Sequence, residues 1–168
     1  MWCVLRCRPE DAGDIMKSCR RNIPADILQD AFIFTCDRMK RYQGSWHVET
    51  RELFPGYVFL ETADIRELAD ALEPYRAYVS VLEDESLLRR VDPEEEELLR
   101  LLGGSSHHLK LSRGYIRDGI THITQGPLAG MEEQIRKIDR HKRTAQVGFR
   151  AEGRERSFMA GLEITGKS

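Results

Sequence analysis

Five cations fall within eight positions late in the chain: Arg136, Lys137, Arg140, Lys142 and Arg143, with His141 among them. Side chains of these types at that density make a positive field suited to phosphates, and an imidazole or guanidinium plane can stack on a base or hydrogen-bond to it. The whole chain is slightly acidic, with a net charge of −2, so the cations are concentrated rather than general. Residues 1–102 hold 14 Lys+Arg against 21 Asp+Glu, a net of −7; residues 103–168 hold 12 against 7, a net of +5. Opposite signs in the two parts point to different partners, with nucleic acid the candidate for the basic part. A basic solvated face with no partner is the plainer alternative.

Other reactive residue types give less. The cysteines stand at 3, 7, 19 and 36. If Cys3 and Cys7 share a strand face they lie ~13 Å apart, too far to chelate one ion, and no Cys-x-x-Cys pair exists. They read as buried thiols acting as small apolar side chains. His107-His108 lies in a Gly/Ser-rich stretch expected to be mobile, and no Ser/His/Asp or paired-carboxylate set has usable spacing. No catalytic residue, metal or cofactor is expected. No apolar run approaches the ~20 residues of a membrane span. The N-terminus lacks the form of an export signal, which points to the cytoplasm.

The elements that must position the cations can be read from pattern. Residues 2–8 read as a strand, 10–21 as a helix, 31–37 as a strand, 39–45 as a hairpin tip and 46–51 as the returning strand. Leu53-Phe-Pro-Gly56 is a turn before a strand over 57–61. Apolar positions 65, 68, 69 and 72 give a helix over 64–72, and 78–82 reads as a strand. Asp92-Pro93 opens a helix, with the glutamates 94–97 suited to its positive end. Residues 103–112 read as a flexible linker. Beyond it, four or five short strands separated by Gly-bearing turns suggest a small antiparallel barrel over 113–168.

Three segments together carry a family likeness: Trp2-Cys-Val-Leu5, Arg51-Glu-Leu-Phe-Pro-Gly-Tyr-Val-Phe-Leu60 and Gly126-Pro-Leu-Ala-Gly130. In order and spacing the chain resembles NusG-type transcription elongation factors, with residues 1–102 similar to their N-terminal (NGN) domain and 113–168 to their KOW domain. The run from Gly126 to Glu132, followed by Ile135 to Arg143, looks like the antiterminator branch called LoaP. Two positions depart from the family pattern. Glu133 stands where many members have Gly, and Cys3 where an aromatic is common.

The resemblance implies an α+β fold: an antiparallel sheet flanked by helices, linked to an SH3-like KOW barrel. It implies docking on the clamp helices of RNA polymerase through Phe54, Pro55, Tyr57 and Phe59. In Tyr57-Val-Phe-Leu60 both parities are apolar, so one face is either a partner surface or covered by the domain's own helices. Arg136, Lys137, Arg140, His141, Lys142 and Arg143 are the expected contacts to a nascent leader RNA hairpin. Arg6 and Arg8 are candidates for upstream DNA, or simply solvated. A monomeric processive antiterminator is the reading that follows. The alternatives are a general NusG whose KOW domain contacts ribosome or Rho, and a ribosome-associated KOW RNA-binding protein.

Overall fold

The computed structural model describes residues 1–79 and 86–168, which form an α+β protein of two compact units. One is built from residues 1–34 and 54–96, the other from 35–53 and 97–168.

The first unit begins with β1 (Trp2–Arg6), a 3₁₀ turn at Pro9–Asp11 and α1 (Ala12–Asn22). β2 (Asp30–Phe32), β5 (Tyr57–Glu61) and β6 (Arg89–Arg90) complete an antiparallel sheet of order β2-β5-β1-β6. α2 (Ile65–Ala71) starts where the sequence places it, because the Asp64 carboxylate accepts from the Arg66 and Glu67 N–H groups at 2.8 and 3.4 Å and so satisfies two orphan donors. Alternation on β1 and β5 divides the apolar residues between two faces. Cys3, Leu5, Ala31, Val58 and Leu60 join Ala12, Ile15 and Cys19 of α1 and Leu68 of α2 in one core. The other face carries Trp2, Phe32 and Phe59.

The turn before β5 depends on one glycine. Gly56 has φ +83°, and a Cβ there would lie 2.6 Å from the Cys7 carbonyl oxygen; its own carbonyl accepts from the Cys7 N–H at 2.8 Å. Gly56→Ala is therefore expected to destabilise the chain by about 2 kcal/mol or more through left-handed strain plus the clash, read as a lower urea midpoint at unchanged slope.

The second unit holds a long ribbon, β3 (Thr35–Tyr42) with β4 (Ser45–Glu52), closed by a two-residue turn at Gln43-Gly44 with φ of 51° and 77°. The expected hairpin tip over 39–45 is thus mostly strand. The segment is mainly basic and polar and carries Gly44, so it shows no apolar alternation. The expected single strand over 31–37 is also divided: β2 pairs with β5, whereas β3 pairs with β4. A continuous apolar run conceals the point where a chain leaves one sheet for another.

α3 (Pro93–Gly103) follows Asp92, whose carboxylate accepts from the Glu94 N–H at 3.0 Å. The glutamates do more than suit the helix dipole, since Glu96 Oε1 accepts from the Trp2 backbone N–H at 2.6 Å. Residues 103–112, expected as a linker, contain a 3₁₀ turn (Gly104–Ser106) and β7 (His108–Leu109), which runs parallel to β3. Of the strand expected over 78–82, residues 80–82 lie outside the described residues, and Tyr78 ends a 3₁₀ helix that starts at Glu73.

β8 (Ser112–Arg117), β9 (Ile120–Gln125), β10 (Ile135–Asp139), β11 (Thr144–Ala151) and β12 (Arg154–Lys167) form a sheet of order β10-β11-β12-β8-β9. The 14-residue β12 pairs antiparallel with β11 over its first half and parallel with β8 over its second. The expected closed barrel is not formed: among the described residues β9 and β10 do not pair. Residues 126–134 between them carry a turn and a 3₁₀ segment instead of ladder. Gly126, at φ +97°, has no room for a Cβ against Ser112, and Leu128 behind it is fully buried with its N–H on Ser112 Oγ at 3.1 Å. Glu133, the departure from the family pattern, sits in the 3₁₀ turn Glu132–Gln134 and is not among the residues of positive φ, so no glycine is needed there.

Candidate nucleic-acid interface

The cationic segment is the β10–β11 hairpin. Its four-residue connection, 140–143, is fixed from inside by Asp139, whose Oδ1 accepts from the Lys142 N–H at 2.9 Å. The backbone N–H of Lys142, then that of His141, holds this carboxylate below the usual aspartate range, with the nearby Lys142 and His141 charges adding to the effect. The sign follows. A depressed carboxylate supports the turn above the ordinary aspartate pKa and loses that contribution as pH falls through the lower folded value. The turn is thus held at neutral pH.

Those cations divide into two groups. Lys137, Arg140, His141 and Lys142 are exposed, and none of the three Lys/Arg residues has an ion pair among the described residues. Together with Asp139, Arg143, Ile138 and Ile164, Lys137, Arg140 and His141 line a surface concavity of ≈ 670 Å³. Arg143 is used differently. Its backbone takes φ 54°, and its guanidinium lies 4.2 Å from the Trp46 ring centroid, 3.1 Å from Glu163 Oε1 and 3.6 Å from Met39 Sδ. A cation stacked on an indole and paired with a carboxylate is a clamp on the β3–β4 ribbon. Arg136, at a bulge in the β10 register, is exposed but donates to Glu155 Oε1 at 3.0 Å and to the Glu133 carbonyl at 2.7 Å. Its side chain covers Gly148, where a Cβ would meet it at 2.6 Å.

The aromatic residues expected to meet a protein partner also divide. Phe59 is buried, 5.4 Å from Phe32 in a stacked pair and within 6.1 Å of Trp2, Phe34 and Phe54. Phe54 and Tyr57 are half-buried and Pro55 is exposed. Both faces of β5 are therefore covered along Val58–Leu60, and the accessible part of the motif is its turn. Arg6 is exposed at the end of β1. Arg8 donates to Asp11 at 2.8 Å and lies 3.9 Å from Glu10, so its charge is locally offset.

One cluster escaped sequence reasoning. His108 is not loose: its Nδ1 lies 2.7 Å from Thr35 Oγ1, its Nε2 2.8 Å from Asp37 Oδ1, and Asp37 Oδ2 accepts from the Leu111 N–H at 2.9 Å. Hydroxyl, imidazole and carboxylate in series resemble a nucleophilic triad, but Thr35 sits in the β3 ladder and the network ties residues 107–111 to that strand. Seventy residues of intervening chain hide the arrangement from spacing rules. All four cysteines are free and buried, and burial pushes the Cys3 and Cys19 thiols up to about 11. Among the described residues no three His, Cys, Asp or Glu side chains gather as metal ligands, and no helix is long and apolar enough to cross a membrane. Compared with protein-family models and with curated proteins, the chain matches none.

Proposed function

We propose that the chain is a transcription elongation factor of the NusG type, a processive antiterminator of the LoaP kind, with an NGN-like unit for RNA polymerase and a KOW-like sheet for RNA. The observation that carries the reading is the turn 140–143 with Lys137 beside it: three exposed cations without ion pairs among the described residues, and an exposed imidazole, on a hairpin turn capped by Asp139. Phosphate contacts of that kind position a nucleic acid without reading its sequence, so a folded leader hairpin, recognised chiefly by shape, fits better than a linear motif. Arg136 keeps part of its exposed guanidinium for the same strand, while Arg143 supports the turn from behind.

The polymerase contact falls on Phe54, Pro55 and Tyr57, with Phe59 as the buried backing that holds them. An apolar ridge from the clamp helices would seat against this turn as helices seat in grooves. Such binding needs no chemistry: preference for the closed, elongating conformer of the polymerase shifts its population by the differential affinity. Arg6 remains available to upstream DNA. Holding polymerase and transcript on one chain raises the effective concentration of each for the other, which makes a modest RNA affinity sufficient in the cytoplasm of a cell. The test is retention of the protein on immobilised elongation complexes. Wild type is expected to be held and Phe54→Ala/Tyr57→Ala to wash off; equal retention of both would remove the docking assignment.

A further inference from the structure

The β8–β9 hairpin carries a feature that the basic turn does not account for. Its connection, Asp118-Gly119, has φ of 53° and 76°, the left-handed pair that suits the twist of a two-residue hairpin. The register it sets places Tyr115 directly opposite His122. The two rings stack with centroids 4.9 Å apart and planes 19° from parallel. His122 is exposed and Tyr115 half-buried, so the phenol backs an imidazole that stays open to solvent.

Cations stand on both sides of this pair. Arg113 and Arg117, two residues before and after Tyr115, share its face of the strand and are exposed. Arg117 has no ion pair among the described residues. Arg113 Nε lies 3.0 Å from Glu163 Oε2, while the other oxygen of that carboxylate takes Arg143 at 3.1 Å. One anion therefore serves two guanidiniums, and it joins the β8–β9 hairpin directly to the basic turn. An aromatic plane between cations is the arrangement that holds a single-stranded base and its phosphates. A paired base, stacked on both sides within a helix, has no free face to offer it.

We infer that the Tyr115–His122 pair is a stacking platform for an unpaired nucleobase of the RNA whose phosphates the basic turn holds, with Arg113 and Arg117 on the adjoining phosphates. This rests on the RNA reading of the turn, and it adds that the leader must present an unpaired nucleotide beside its stem.

Fluorescence anisotropy with the full chain tests it, using three probes: a blunt RNA duplex, the same stem as an RNA hairpin with an unpaired uridine loop and tail, and the DNA form of that hairpin. Wild type is expected to prefer the RNA hairpin to the blunt duplex by about tenfold. His122→Ala, a surface change, is expected to abolish that preference without altering duplex binding, and His122→Phe to keep it. Preference undiminished in His122→Ala, or no preference in wild type, would overturn the platform; equal preference for the DNA form would overturn its assignment to RNA. Failure of the underlying reading is distinct: reversal of Lys137, Arg140 and Lys142 would then leave all probes bound at wild-type strength.

Discussion

Reversing the charge of Lys137, Arg140 and Lys142 together is expected to weaken binding to a structured RNA by at least about a hundredfold at moderate salt and to flatten the log-affinity against log-salt slope by about 2, since each lost phosphate contact removes about 0.7–0.9 of slope. The three side chains are exposed and lack ion pairs among the described residues, so their removal costs the fold little and the effect appears in binding. Arg143→Ala is expected to behave in the opposite way. Its guanidinium is held by Trp46 and Glu163, so its loss lowers stability and loosens the turn, with a salt slope close to wild type. Measuring both variants across a salt series, with unfolding curves for each, separates a phosphate-holding cation from a clamping one.

Phe59→Ala is expected to destabilise the protein by about 3–5 kcal/mol, the range for emptying a buried phenylalanine site. Phe59 is 3% exposed and lies within 6.1 Å, ring to ring, of Trp2, Phe32, Phe34 and Phe54, and such pairs add to the stabilisation that burial alone gives. Phe54→Ala removes one half-exposed edge of the cluster and is expected to cost much less. Urea unfolding of the two variants checks the order. Equal losses would mean that the turn is as much a part of the core as the strand, leaving less of it for a partner. The comparison matters because both rings belong to one motif, yet only Phe54, beside the Pro-Gly turn, is accessible enough to meet a partner.

Much of the local structure was legible because single residues decide it. Asp92 announces a helix start, and its carboxylate accepts the Glu94 N–H; the apolar spacing 65, 68, 69 and 72 marks α2, and Gly56 marks a turn that only it can occupy. What stayed hidden depended on pairing across long separations. The passage from β2 to β3 at residues 33–34 interrupts an apolar run that looks continuous, because burial in either of two sheets demands the same residue types. The ribbon β3–β4 is longer than its pattern suggests, since the basic and polar run at its end, residues 40–45, shows no apolar alternation. His108 lies in a stretch whose composition suggests mobility, whereas Thr35 and Asp37 pin its ring. Within the candidate site, the concentration of cations was plain, but their division was not: nothing in 136–143 says that Arg143 reaches Trp46, almost a hundred residues earlier. The Tyr115–His122 stack was equally silent, because register, and not composition, brings those two rings together.

Single-round transcription through an intrinsic terminator, on templates with and without a structured leader upstream, is the most direct measurement. The cationic turn and the Phe54–Tyr57 corner together predict that the purified protein raises readthrough only when the leader is present, and that either the Lys137/Arg140/Lys142 reversal or Phe54→Ala/Tyr57→Ala abolishes the increase. Readthrough unchanged by the protein, or raised equally on both templates and by both variants, would contradict it.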